Sequence, residues 1–270
     1  MTTADQVLSG RDLALDTVAT LTAGARFRLT GGAHERMQAS RRAVEQAIAR
    51  GQTSYGITTG FGVFANKRIP ADKLLELQRN LVRSHAAGVG APLAAEHVRR
   101  ILLLKANNLA AGHSGIRPVV VDALLKLLEH DVLPLIPGKG SVGASGDLAP
   151  LAHLSLALIG EGSATGDGRR LEGPAVCEAA GFAPFTLAAK EGLALLNGTQ
   201  VSTALALHGL FAAQNLLAAG LVAGAMSVDA AMGSDTPFDA RIHELRGQPG
   251  QIQVAALFRK LLAGSRIRAS

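Results

Sequence analysis

One stretch of sequence decides the fold class: residues 192–228 read GLALLNGTQVSTALALHGLFAAQNLLAAGLVAGAMSV and contain no Lys, Arg, Asp or Glu. The stretch is long enough to cross a membrane. It also contains amides, hydroxyls and a histidine, and it lacks aromatic belts, so a lipid-facing helix would leave many polar groups unsatisfied. We therefore predict a helix that is buried on all sides. Because one chain can scarcely surround such a helix, we predict a helical bundle shared between subunits and no membrane partner.

The composition also favours helices. The 270 residues are 48% hydrophobic but only 3% aromatic, so Ala, Leu and Val must fill the core, which suits closely packed helices better than a β-sandwich. We see no internal repeat and no linker, and we place no domain boundary. Hydrophobic periodicity, with glycine- and proline-rich turns between the periodic segments, predicts helices near residues 34–50, 72–87, 94–112, 118–130 and 147–161.

Charge and cysteine content narrow the function classes. The net charge of +6 raises the possibility of nucleic-acid binding, but the basic residues are scattered and side chains that could stack on bases are nearly absent. A solvated basic surface is the simpler interpretation, and we expect no nucleic-acid partner. The single cysteine, Cys177, excludes an internal disulfide framework and a cysteine-based metal cluster. Together with an N-terminus that lacks a secretory signal, this predicts a cytoplasmic protein.

A glycine-rich segment resembles three known kinds of site, but its neighbouring residues disfavour each of them. Residues 138–143, GKGSVG, match the dinucleotide pattern G-x-G-x-x-G, but Pro134 and Pro137 occupy the place where the required strand would be. A phosphate-binding P-loop would need Ser or Thr after Lys139. A nucleophile elbow around Ser145 would need glycine where an aspartate stands.

The same region contains a turn of small residues, Gly143-Ala144-Ser145-Gly146-Asp147. If the amide nitrogen of Gly146 attacks the carbonyl carbon of Ala144, a five-membered ring closes. Loss of water there and from the Ser145 side chain leaves an exocyclic methylidene, which is an electrophile. Glycine suits the attacking position because it has no Cβ and tolerates strained backbone angles. The tripeptide is common by chance, so its context must decide its meaning.

That context resembles a known family. Residues 140–153, GSVGASGDLAPLAH, resemble the signature of the aromatic amino-acid ammonia-lyases, the family of the histidine and phenylalanine ammonia-lyases. Three further motifs follow the family's order: YGITTGFG at 55–62, SHAAGVG at 84–90 and EGLALLNGTQ at 191–200. The resemblance implies a mainly α-helical, L-aspartase/fumarase-like fold, a bundle of long helices with a loop-rich N-terminal part. It also implies a homotetramer whose active sites are shared between subunits.

The resemblance implies an ammonia-lyase whose small-molecule substrate is an amino acid, converting L-histidine to trans-urocanate and ammonia. Such an elimination needs an electrophile, which ordinary side chains do not supply. The implied electrophile is a 4-methylidene-imidazol-5-one formed autocatalytically from Ala144, Ser145 and Gly146, with Asp147 assisting, and without metal or pyridoxal phosphate. A pyridoxal phosphate on Lys139 or Lys190 is the rival, but that cofactor activates the α-carbon and does not readily expel the α-amine.

The resemblance assigns roles to four more residues. Tyr55, the only tyrosine, is implied to be the catalytic base, although an isolated tyrosine is more often a packing aromatic. Ser84-His85 is the pair typical of histidine lyases, so His85 is implied to select an imidazole; the alternative is a core histidine. Asn197 is implied to contact the substrate or the electrophile, and otherwise would join helices by hydrogen bonds. Asp147 could also be a helix cap.

Two alternatives remain from the sequence. One is a tyrosine or phenylalanine ammonia-lyase. The other is a catalytically incomplete helical fragment, because the family carries a Gln-Asp-x-Tyr-Ser-x-Arg segment and a late glutamate beyond the region where this chain stops at Ser270. We therefore expect residues 1–270 to be the N-terminal portion of an ammonia-lyase that lacks the C-terminal remainder.

Overall fold

The computed structural model describes residues 6–54, 56–60 and 69–267. Tyr55 and the last two residues of its motif lie outside the described residues. Helix accounts for 57% of the protein, which confirms the mainly α-helical fold class. The helices are α1 (Leu15–Ala19), α2 (Gly31–Ala49), α3 (Leu74–His85), α4 (Ala95–Ala110), α5 (Pro118–Glu129), α6 (Leu148–Leu158), α7 (Pro174–Ala179), α8 (Glu191–Leu196), α9 (Gln200–Ala230), α10 (Ala240–Arg246) and α11 (Pro249–Leu262).

Short strands connect the helices. They are β1 (Gln6–Leu8), β2 (Phe27–Leu29), β3 (Val89–Pro92), β4 (Leu133–Pro134), β5 (Pro137–Lys139), β6 (Ser163–Gly166) and β7 (Arg169–Glu172). β1 pairs in parallel with β2, β3 pairs antiparallel with β5, and β6 pairs antiparallel with both β4 and β7. Since β5, at the glycine-rich segment, belongs to a two-stranded antiparallel ribbon, that segment does not sit in the parallel sheet that a dinucleotide-binding fold requires.

The five helices predicted from periodicity are confirmed as α2 to α6. Local signals explain where some of them begin. The Thr30 hydroxyl accepts a hydrogen bond from the Ala33 amide at 3.2 Å and so caps α2. Pro118 is the first residue of α5, where its missing N–H costs nothing. These boundaries therefore follow from neighbouring residues.

The chain divides into two compact units, Met1–Leu207 and His208–Ser270, and the division falls inside α9. In the first unit, α4 packs against α5, and α6 packs against α3, α5 and α8. The side chains of Leu102, Leu124 and Leu154 are completely buried there. Burying each such leucine contributes about 1.5–3 kcal/mol, which makes this helix cluster the main source of the first unit's stability.

The uncharged stretch differs from the prediction in one way. It is two helices, because α8 ends at Leu196 and α9 begins at Gln200. Asn197 has an extended backbone, and Gly198 has a φ of +141°, which a continuing helix cannot contain. The predicted burial on all sides depends on helices of other subunits, and it stays a prediction. α9 is long and apolar enough to cross a membrane, yet none of its most apolar window is buried, because this chain does not supply the helices needed to surround it.

One buried carboxylate fixes the start of α8. Glu191 is completely buried and accepts hydrogen bonds from Arg117, at 2.8 Å from Nε and 2.7 Å from Nη2. It also accepts from the backbone amides of Arg117, at 3.0 Å, and Ala188, at 2.7 Å. The hydrogen bonds to Glu191 raise the pKa of Arg117. This network joins the beginning of α5 to the beginning of α8.

Removing this carboxylate should destabilise the fold. Because Glu191→Ala leaves two amides and one side of a guanidinium without their acceptor, we expect the free energy of unfolding to fall by about 3–5 kcal/mol, measured by urea denaturation. Glu172→Ala is the matched control, since that glutamate pairs with Arg170 on the exposed surface and its loss should change stability little. Equal effects of the two substitutions would contradict the structural role of Glu191.

Candidate active site

The predicted electrophile segment forms a turn at the surface, between β5 and α6. Ala144 and Ser145 are exposed, whereas Gly146 and Asp147 are buried. The reactive atoms of the ring closure, the Ala144 carbonyl and the Gly146 amide, therefore lie where an exposed turn enters the protein. The Ser145 side chain projects from the exposed part.

The buried end of the turn is held against the junction between α8 and α9. Gly146 forms a parallel β-bridge with Gly198, and the Asp147 amide donates to the Gly198 carbonyl at 2.8 Å. A Cβ on Gly146 would lie 2.5 Å from the Gly198 oxygen, and the φ of Gly146 is +126°. Only glycine satisfies both conditions. The turn can therefore pack against this junction only with glycine at position 146, the residue whose amide is predicted to attack.

The Asp147 carboxylate joins the turn to α9. It is completely buried and accepts from the hydroxyls of Ser141, at 2.8 Å, and Ser202, at 2.6 Å. It also accepts from the Ser202 amide at 2.8 Å. Ser202 lies in the first turn of α9, where backbone amides have no partner within the helix and favour negative charge. The sequence allowed the Asp147 side chain to cap α6. In the structure it makes no capping hydrogen bond to α6 and instead caps the N-terminal turn of α9.

Asn197 lies at the same junction. It directly precedes Gly198, ends α8, and is exposed. Its backbone carbonyl accepts a hydrogen bond from Nζ of Lys105 at 2.7 Å. The structure therefore brings Asn197 next to the residue that contacts the turn, so two of the predicted site elements lie together although fifty residues of sequence separate them.

His85 is the last residue of α3 and is partly buried. Its Nδ1 lies 2.8 Å from the Leu81 carbonyl, which can only accept, so Nδ1 carries a proton in this arrangement. In a neutral ring the other nitrogen, Nε2, is then an acceptor. Within the residues that the structure describes, the helix therefore binds Nδ1, and the neutral ring presents Nε2 as its acceptor.

A second histidine connects the motif around His85 to the helix after the turn. The Gly88 amide donates to Nε2 of His153, on α6, at 3.1 Å. Burial lowers the pKa of His153, which favours the neutral ring that can accept this hydrogen bond. His85 itself makes no hydrogen bond to the turn among the residues that the structure describes, so this contact is its observed connection to α6.

Comparison with known proteins identifies the family of this chain. The aromatic amino acid lyase family model matches residues 13–270. The chain belongs to this family. The family uses a methylidene imidazolone group.

The relatives that match this chain include histidine ammonia-lyases. The chain is 59% identical to the histidine ammonia-lyase of Paracidovorax citrulli over 244 residues, which are 90% of this chain and 48% of that protein. It thus spans about half the length of the curated relatives it matches. Histidine ammonia-lyase from Trypanosoma cruzi superposes with a TM-score of 0.87 at 38% identity, over 95% of this chain and 50% of that one. The phenylalanine aminomutase of Pantoea agglomerans gives 0.90 at 30% identity, over 97% and 51%.

These values confirm the fold and show its limits as a guide to substrate. The aminomutase superposes as well as the histidine lyase from Trypanosoma cruzi, although its sequence is less similar. Fold alone therefore does not distinguish the members of this ammonia-lyase family. The bacterial histidine lyase has the higher sequence identity, 59% against 30% for the aminomutase.

Sequence reasoning missed Lys105. The side chain is completely buried on α4, on the same face as Ile101 and Leu109, which are four residues away on either side. The signal was present in the sequence, because a lysine at the centre of an apolar stripe is unusual. Burial, which disfavours the charged form, lowers the pKa of Lys105 to about 7.

This pKa makes stability depend on pH. Between about pH 7 and pH 10.5 the unfolded chain binds a proton at Lys105 that the folded protein does not, so the free energy of unfolding rises with pH in that window. We predict that wild-type protein gains stability relative to Lys105→Met from pH 7 to 10, by up to about 1.4 kcal/mol per pH unit, in chemical denaturation. A constant difference between the two proteins would contradict the burial of this amine.

Proposed function

We propose that the protein carrying this chain is a histidine ammonia-lyase, which converts L-histidine to trans-urocanate and ammonia. The observation that carries the proposal is the turn at residues 144–146, whose buried end is fixed by Gly198 and Asp147. The family signature gives this turn its chemical meaning. The similarity to bacterial histidine ammonia-lyases supports the choice of substrate.

The residues present fit the prosthetic group of the family. Ala144, Ser145 and Gly146 would form it, and the group would supply an electrophile for elimination of the α-amino group. Gly146 has a positive φ and lies against the Gly198 backbone, where a Cβ would not fit, so the residue proposed to attack is one that only glycine can provide. Asp147 holds the segment in place while the ring closes, because its amide is bound to Gly198, at the junction before α9, and its carboxylate is bound to Ser202, in the first turn of α9.

The neighbouring side chains would bind and orient the substrate. We assign His85 to the imidazole of histidine, because Nδ1 donates to the Leu81 carbonyl and the acceptor nitrogen Nε2 then complements the N–H of that ring. We assign Asn197 to the polar end of the substrate, because it is exposed and directly precedes Gly198, which contacts the turn. Tyr55 is proposed as the base that removes the β-proton, on the resemblance of its motif alone.

A homo-oligomer, which we propose to be a cytoplasmic tetramer with shared active sites, would account for α9. Its exposed surface includes Leu216, Leu217 and Met226, which are 73%, 61% and 66% exposed. Contiguous apolar surface of this kind marks an interaction site. Protein is a better partner than lipid, because α9 also carries the amides of Gln214 and Asn215, and the family consists of soluble enzymes.

The proposed activity is tested by optical absorbance. Purified protein with L-histidine should gain the near-ultraviolet absorbance of urocanate, and Ser145→Ala should abolish the gain because it removes the hydroxyl that must be lost. Ser155→Ala is the matched control, since that hydroxyl donates to the Leu151 carbonyl within α6 and its loss should leave activity unchanged. Product from L-tyrosine but not from L-histidine would overturn the substrate assignment, and activity in Ser145→Ala would overturn the assigned electrophile.

A further inference from the structure

Lys105 is a completely buried lysine that the proposed chemistry does not use. It lies in the middle of α4, and its neighbours on the buried face, Ile101, Leu102 and Leu109, are completely buried aliphatic residues. Burial lowers its pKa, and among the residues that the structure describes no nearby charge contributes to the shift. Its environment is therefore that of a core leucine or methionine.

An amine in such a place is costly. Removing it from water is unfavourable unless hydrogen bonds compensate, and a methionine of nearly the same length would avoid the cost. The amine must therefore be understood through the hydrogen bond that a methionine would not make. That bond joins Nζ to the Asn197 carbonyl at 2.7 Å.

The acceptor lies at the junction on which the candidate site depends. The carbonyl of Asn197 is bound by Lys105, and the next carbonyl along the chain, that of Gly198, is bound by the Asp147 amide. Two consecutive peptide groups are thus fixed from two directions, one by the core helix α4 and one by the turn. Neither Asn197 nor Gly198 belongs to a helix, so these hydrogen bonds replace the helical ones that hold the residues on either side.

We propose that Lys105 is a positioning residue for catalysis: by holding the Asn197 carbonyl, it sets the placement of the Asn197 side chain and of the turn at residues 144–146. This inference rests on the proposed function. Lys105 acts through the peptide it binds and does not touch the substrate. Its effect is therefore on the turnover of bound substrate, because a small misplacement of a reacting group slows the reaction strongly.

The test compares Lys105→Met with Lys190→Met in purified protein. Lys190 is the matched control, because its Nζ also donates to a backbone carbonyl, that of Ser114 at 2.6 Å, but at the opposite end of α8. Two experiments are done. One measures amide hydrogen exchange over residues 197–202, and the other measures kcat and KM for L-histidine. Lys105→Leu is a second apolar variant to be used if the methionine variant does not fold.

We expect Lys105→Met to increase hydrogen exchange at residues 197–202 without an equal increase in α5. We expect kcat to fall about 10- to 100-fold, while KM changes by less than about threefold. Lys190→Met should leave kcat and exchange at 197–202 within about twofold of wild type, as expected for a lysine remote from the turn.

The possible contrary results are distinguishable. Wild-type protein that forms no urocanate overturns the proposed function, and the inference with it. An active wild type with a Lys105→Met variant of unchanged exchange and unchanged kcat overturns the inference alone. An equal loss of kcat in Lys190→Met also overturns it, because any buried lysine–carbonyl contact near α8 would then have the same effect.

Discussion

The candidate site depends on one completely buried carboxylate, that of Asp147. An isolated buried charge would be strongly unfavourable, but this one accepts three hydrogen bonds and lies at the positive end of a helix. Its partners come from the glycine-rich segment before the turn, through Ser141, and from the start of α9, through Ser202. Because its own amide binds Gly198, one residue connects the turn, the α8–α9 junction and the first turn of α9.

This arrangement explains how an ordinary tripeptide acquires a specific role. The sequence Ala-Ser-Gly has no unusual reactivity in a flexible chain, because the Gly146 amide and the Ala144 carbonyl adopt a reactive geometry only rarely. Against Gly198, the glycine is restricted to a positive φ in a space too small for any Cβ. The residues that restrict it lie fifty positions away in sequence, and Lys105 on α4 in turn holds the residue next to Gly198.

The sequence predicted what local interactions determine. Helices α2 to α6 follow from periodicity and from nearby caps such as Thr30, and the motif around Ala144 was found because its residues are contiguous. The end of α8 was missed, although Asn-Gly is a turn signal, because the uncharged pattern continues through it. The position of Lys105 in an apolar stripe indicates that it is buried, but its partner, like the partner of the Asp147 side chain, depends on tertiary packing between segments distant in sequence.

The central claim is that the Asp147 carboxylate holds the turn in the geometry for ring closure. The most direct test is the mass of the peptide containing residues 144–146, in wild type and in Asp147→Asn. The asparagine keeps the size of the side chain, but it has one acceptor oxygen instead of two and places an N–H₂ group where the serines donate. The account predicts a wild-type peptide lighter by two water molecules and a variant that keeps both waters in a substantial fraction of molecules. Complete loss of two waters in both proteins, or in neither, would contradict it.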